Sequence, residues 1–192
     1  MKEDNFFSTS GFMEVSYHEH SRFVGSLVSL PGKRFISSSE DGRMIIYGYA
    51  GKVLKNVQDY ADPVNYMCLT EDKKYLVSAS DDCTVKVWDT DSWQIVRALT
   101  GHTNYVSKVA AFKSELIISI SKDETVRVWD VTSGECRHIL EGHQAWVYCL
   151  AVSPKSKKAI TASLNGTMIV WNLETGGKIV TLVDGGPDVM FL

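Results

Sequence analysis

Cysteine and proline are scarce in this 192-residue chain, four of each, and neither is grouped. Cys68, Cys83, Cys136 and Cys149 form no C-x-x-C pair, and the five histidines add none of the spacings of a zinc site. Neither a disulfide framework nor a structural metal is therefore expected. The thiols read as reduced, mostly buried small hydrophobes. His18 and His20 form an H-x-H, which reads better as an exposed outer strand followed by a structural histidine than as a metal seat. No apolar run approaches the roughly 18 residues that span a bilayer. The start, Met1-Lys2-Glu3-Asp4-Asn5, is acidic where a secretory signal would be basic, and no long apolar stretch follows. These absences lead us to expect a chain that is not secreted and not inserted in a membrane, cytoplasmic or nuclear. An excess of one charge is lacking too: the formal net charge is −3, which exerts no global pull on nucleic acid. Nor is there a G-x-S-x-G, a G-x-x-x-x-G-K-[ST], an H-E-x-x-H or a G-x-G-x-x-G, so neither an enzyme nor a cofactor is expected.

What the chain has is a repeat. Tyr47, Trp88, Trp129 and Trp171 lie 41, 41 and 42 residues apart, each closing a strand-like segment such as Thr84-Val85-Lys86-Val87-Trp88. Six residues before each aromatic stands Asp41, Asp82, Asp123 or Asn165, a residue type that starts turns by bonding nearby backbone amides. A second strand precedes each turn, at residues 34–39, 75–80, 116–121 and 158–163. A third is opened by Val24, Val64, Val106 and Val147, and a further segment follows each aromatic. Every unit is thus four short strands separated by turns. No stretch sustains a helical period, so the chain is predicted to be all-β.

The dipeptides Trp88-Asp89 and Trp129-Asp130, the pairs Gly101-His102 and Gly142-His143, and the period itself resemble the WD40-repeat family over roughly residues 14–192. The resemblance implies a segment of a β-propeller: four four-stranded antiparallel blades standing radially, an incomplete or open ring with partial strands at each end. On this reading residues 1–11 are a tail and 12–192 the repeat domain. Its blades run over about 20–57, 60–99, 102–140 and 143–182, with 12–17 and 187–192 as strands of incomplete flanking blades. Three explanations of the missing blades stay open: a segment of a longer protein, completion by another chain or a second copy, or closure as a tight four-bladed ring.

His102, Ser119 and Asp123 invite comparison with a nucleophile, base and orienter. The same positions recur as His143, Thr161 and Asn165, as His20, Ser37 and Asp41, and as Ser78 and Asp82 without the histidine, for which Tyr60 stands. Catalytic sets do not come in tandem copies with conservative drift. With the aromatic that closes each unit, these residues are expected to brace a loop to the blade, as similar tetrads do in the family the chain resembles. The set is intact only in the third repeat, so the first, with Tyr47, and the second are expected to be less firmly braced.

Two surfaces emerge as binding candidates. In the family, residues flanking the opening valine and the residue before the turn acid crowd the narrow face around the channel. By position these are Phe23, Gly25 and Glu40; Pro63, Asn65 and Asp81; Tyr105, Ser107 and Lys122; Trp146, Tyr148 and Leu164. Phe23, Tyr105, Trp146, Tyr148 and Leu164 are large apolar or amphipathic groups where polar ones are usual, and aromatic anchors dominate protein interfaces. The leading expectation is a scaffold that binds a protein or peptide there. The alternative is an RNA- or anionic-surface-binding module using Lys33, Arg34, Lys73, Lys74, Lys113, Lys155, Lys157 and Lys158, in loops of the opposite, wide face.

Overall fold

The computed structural model of the chain describes residues 5–7, 13–15, 19–48, 51–58 and 62–183. The first of its four-stranded sheets runs β3 (Val24–Leu30), β4 (Arg34–Ser39), β5 (Arg43–Tyr47), β6 (Val53–Gln58). The second is β7 (Val64–Leu69), β8 (Tyr75–Ser80), β9 (Val85–Asp89), β10 (Ile95–Leu99). The third is β11 (Val106–Lys113), β12 (Leu116–Ser121), β13 (Val126–Asp130), β14 (Cys136–Leu140), and the fourth β15 (Val147–Ser153), β16 (Lys158–Ser163), β17 (Thr167–Asn172), β18 (Lys178–Val183). Each is an antiparallel meander in chain order. The all-β, four-blade reading is borne out, and the sheets do not close into a ring. β1 (Asn5–Phe7) and β2 (Met13–Val15) pair with each other in a separate two-stranded sheet. Tyr60, His18 and residues 187–192 lie outside the described residues.

The sheets are held face to face by three apolar layers. Residues of the middle strands alternate between the two neighbouring layers, as a two-residue period requires. In β12, Ile117 packs towards the second sheet and Ile118 and Ile120 towards the fourth, so this strand is buried throughout. Each repeat-closing tryptophan fills the layer shared with the preceding sheet: Trp88 packs with Ile36 and Met44, Trp129 with Val77 and Val87, Trp171 with Ile118 and Val128. Tyr47 occupies the same register, with no preceding four-stranded sheet among the described residues. It instead stacks on Phe35, ring centroids 4.7 Å apart and planes 12° from parallel. Between the outer sheets and solvent lie apolar groups that the inner layers would cover, among them Leu27 and Phe35 on the first and Ile160 on the fourth.

The opening glycine of the Gly-His pair has a backbone reason. Gly101 and Gly142 take φ of 146° and 152°, and a Cβ on Gly101 would lie 2.6 Å from the Arg127 guanidinium.

Candidate functional site

The polar brackets form as directed chains of hydrogen bonds. In the third sheet the indole N–H of Trp129 donates to Ser119 Oγ at 2.8 Å, Ser119 lies 2.7 Å from His102 Nε2, and His102 Nδ1 lies 2.8 Å from Asp123. With the proton on Nδ1, one neutral imidazole satisfies both neighbours. Burial works against the charge on Asp123, but donors outweigh it: His102, Thr125 and the backbone amides of Thr103 and Thr125 hold the carboxyl well below the usual range. Ser119 is wholly buried with its oxygen engaged by Trp129 and His102.

The other brackets vary on this pattern. His20 bonds Ser37 at 2.6 Å and Asp41 at 3.0 Å, without an indole, since Tyr47 turns to Phe35. Asp41 is likewise held low: burial opposes the charge, but the Ser21 amide, Arg43 and His20 prevail. In the second sheet Trp88 donates to Ser78 at 2.8 Å, and Asp82 binds the amide and hydroxyl of Thr84. In the fourth, Trp171 donates to Thr161 at 2.8 Å and Thr161 lies 2.7 Å from His143 Nε2. His143 Nδ1, however, meets Ser163 Oγ at 2.9 Å, and Ser163 in turn donates to Asn165 at 2.6 Å. Asn165 therefore does not touch the histidine directly, as its position in the repeat suggests. Ser163 bridges the two instead. Burial, reinforced by nearby Lys178, pulls the His143 pKa down to about 4.

Ser163 belongs to a set that the motif reading passes over. Ser39, Ser80 and Ser121 accept a hydrogen bond from the amide of the turn acid two residues on, at 3.1, 3.2 and 3.0 Å. Ser39 and Ser121 also donate to Arg22 and Asn104 carbonyls, fastening the loop that opens the next-door strand. Their signal is present in the sequence: a serine stands two residues before the turn residue in all four repeats.

At this same end of the sheets lie the residues carried over as narrow-face contacts. Four equivalent backbone bonds pair them: Glu40 N to Phe23 O, Asp81 N to Pro63 O, Lys122 N to Tyr105 O and Leu164 N to Trp146 O, all between 2.9 and 3.0 Å. Just inside, each first strand carries a register shift, at Val24/Ser26, Val64/Tyr66, Val106/Lys108 and Val147/Cys149. Such bulges re-aim side chains, and here the bulged residues reach the neighbouring sheet. Asn65 donates to Val106 O at 2.9 Å and to Asp81 at 2.7 Å, and Ser107 Oγ accepts the indole N–H of Trp146 at 2.6 Å. Gly25 faces the Asn65 carbonyl so closely that a Cβ would sit 2.9 Å from it. Phe23 is 70% exposed, Leu164 55% and Tyr105 42%, whereas Trp146 and Tyr148 are half-buried. Glu40 and Lys122 are exposed, and the Lys122 ammonium lies 5.2 Å from the ring centroids of both Tyr105 and Trp146.

The lysine-rich loops occupy the opposite strand ends. Most of their lysines are exposed, but their charge is partly engaged: Lys157 pairs with Glu174, Lys74 lies among Asp72 and Asp89, and Lys74 and Lys113 cover the rings of Tyr75 and Phe112. Among the described residues no three His, Cys, Asp or Glu side chains gather to hold a metal ion. The four cysteines are free and half-buried, and burial pushes the Cys68 thiol up to about 12. Among the described residues, no helix is long and apolar enough to cross a membrane.

Comparison with known proteins finds the family described as WD domain, G-beta repeat, at residues 51–89, 93–130 and 134–172. Each match runs from the outer strand of one sheet through the first three strands of the next, so the sequence repeat staples adjacent blades. Residues 20–47, where Tyr47 and Gly48 replace the Trp-Asp pair, fall outside the match. Among curated relatives, a probable coatomer subunit beta' of Schizosaccharomyces pombe is 38% identical over 97 residues, 48% of this chain and 12% of that protein. A WD repeat and SOCS box-containing protein 1 of Xenopus tropicalis is 31% identical over 70% of this chain and 23% of its own length. A probable E3 ubiquitin ligase complex SCF subunit sconB of Talaromyces stipitatus is 39% identical over 31% of the chain and 9% of that protein. The chain thus spans less than a quarter of the length of each of these relatives.

Proposed function

Since the chain belongs to the WD-domain, G-beta repeat family, we propose that it is a non-enzymatic protein-interaction scaffold that holds a peptide or loop of its partner against the narrow face. The observation that carries this reading is the backbone pairing of Lys122 with Tyr105 and of Leu164 with Trp146. It sets exposed aromatic and aliphatic groups side by side on one rim. Large side chains positioned by backbone hydrogen bonds lose little entropy on binding, which is what an interface anchor requires. The names of the relatives, subunits of coatomer and of a ubiquitin ligase complex, accord with work inside assemblies. Further blades would cover the apolar outer faces of the first and fourth sheets, supplied by more sequence, another chain or a second copy.

The test uses peptides selected by display on the full chain. Tyr105→Ala combined with Trp146→Ala is expected to weaken their binding at least tenfold, with the melting transition still cooperative. Unchanged affinity would remove this face from consideration. A steep loss of affinity with salt, untouched by the double change, would move binding to the lysine loops of the wide face and revive the RNA- or anionic-surface reading.

A further inference from the structure

Resting on that narrow-face reading, we propose that the rim between the third and fourth sheets selects an acidic segment of the partner, with Lys122 as counter-ion to a partner Asp or Glu carboxylate. Aromatic faces ordinarily attract a cation. Here the faces of Tyr105 and Trp146 are already engaged from within, because the Lys122 ammonium sits 5.2 Å from each centroid. A second cation meets engaged faces and a like charge.

The arrangement is fixed rather than incidental. Trp146 is held by its indole bond to Ser107 and through the amide of Leu164 on its carbonyl, and the Lys122 amide bonds the Tyr105 carbonyl. The rings orient the ammonium but bring no net negative charge to neutralise it. Among the described residues Lys122 forms no ion pair, whereas Arg43, Lys86, Arg137 and Lys157 each have a carboxylate partner. Glu124, two residues on in the same turn, forms none with it, and the Asp81 carboxylate accepts from Asn65. An exposed ammonium has three donors and seeks acceptors, and Leu164, 55% exposed on the same rim, offers an apolar neighbour. The matching ligand is an acidic residue beside an aliphatic one. A polyanion fits less well, because Glu40 and Asp81 place negative charge on the rim of the first two sheets.

The test is a set of fluorescent decapeptides, identical except for a central Glu, Gln, Lys or phosphoserine beside leucine, titrated against the full chain by anisotropy. The Glu peptide is expected to bind about tenfold more tightly than the Gln peptide, the effect of one charge-assisted contact, and the Lys peptide most weakly. Lys122→Gln, which removes the charge and keeps a polar side chain, should abolish the Glu-over-Gln preference, and Lys122→Arg should retain it. Equal binding of Glu and Gln peptides, a preference for Lys, a Glu preference that survives in Lys122→Gln, tighter binding of phosphoserine than of Glu, or no binding of the Glu peptide would each overturn the proposal. The Gln peptide separates the two readings. If the Tyr105→Ala, Trp146→Ala variant binds it as well as the parent, the narrow face itself is wrong; if that affinity falls while charge is ignored, only the acidic preference is.

Discussion

His143 Nδ1 is hydrogen-bonded to Ser163 Oγ, 2.9 Å away, where His102 in the preceding sheet meets a carboxylate. Burial and the nearby Lys178 make this histidine acid-sensitive. The folded imidazole stays neutral down to about pH 4, whereas an unfolded one titrates near 6.5.

Between those two values the unfolded chain binds the additional proton. The contribution of His143 is therefore fully present above about pH 6.5 and drains away as pH falls towards 4. Asn165→Asp, which supplies the carboxylate found in the third sheet, should flatten that loss. Melting temperatures of the two proteins, measured across the window, are expected to diverge at the acid end in favour of the variant. Parallel curves would show that His143 is not the titrating group.

Trp129 carries both packing and a hydrogen bond, and the two are separable. Trp129→Ala should cost about 3–5 kcal/mol in urea unfolding, since it empties the layer between second and third sheets. Trp129→Phe, which keeps much of the ring but not the donor to Ser119, should cost less. A Trp129→Ala protein as stable as the parent would contradict the bracing role.

Ser38 is wholly buried, and among the described residues its hydroxyl has no hydrogen-bond partner. Its counterparts in the other repeats are Ala79, Ile120 and Ala162. Removing an orphaned buried polar atom should help, so Ser38→Ala is expected to raise stability by about 1 kcal/mol. At the adjacent position, Ser37→Ala should lower it, because Ser37 bonds His20 at 2.6 Å. Chemical denaturation of both variants checks the contrast in sign.

Lys73 sits in a left-handed turn with φ of 60°, a conformation that costs an L-residue roughly 1–2 kcal/mol. Lys73→Gly removes that strain and forfeits some unfolded-state entropy, for a net gain of about 0.5–1 kcal/mol. Its backbone contacts, the amide to Thr70 O and the carbonyl from Thr90, survive the change. A lower melting temperature would mean that the lysine side chain does more than cover the turn.

The sheets were readable because their markers are local: a turn acid and an aromatic six residues later recur whichever sheet stands alongside. Strand ends at Ser39, Ser80, Ser121 and Ser163 follow directly from that frame. What escaped depends on neighbours 40 or so residues away. Gly25, Asn65, Ser107 and Tyr148 share no chemistry, so their common bulge and its bonds to the next sheet leave no pattern in one repeat. Asn165 stands where Asp123 does, yet the histidine of its bracket bonds Ser163 and reaches Asn165 only through it. Tyr47 kept the place of the tryptophan but took a different partner, Phe35. Lys122 was recognisable as a rim residue; its seat between two rings of different sheets was not.

Hydroxyl-radical footprinting of the full chain with and without a display-selected peptide tests the scaffold reading most directly. Protection should concentrate on Phe23, Tyr105, Trp146 and Leu164, with the loops around Lys33, Lys73, Lys113 and Lys157 unchanged. Protection of those lysine loops, with the aromatic rim still fully reactive, would contradict it.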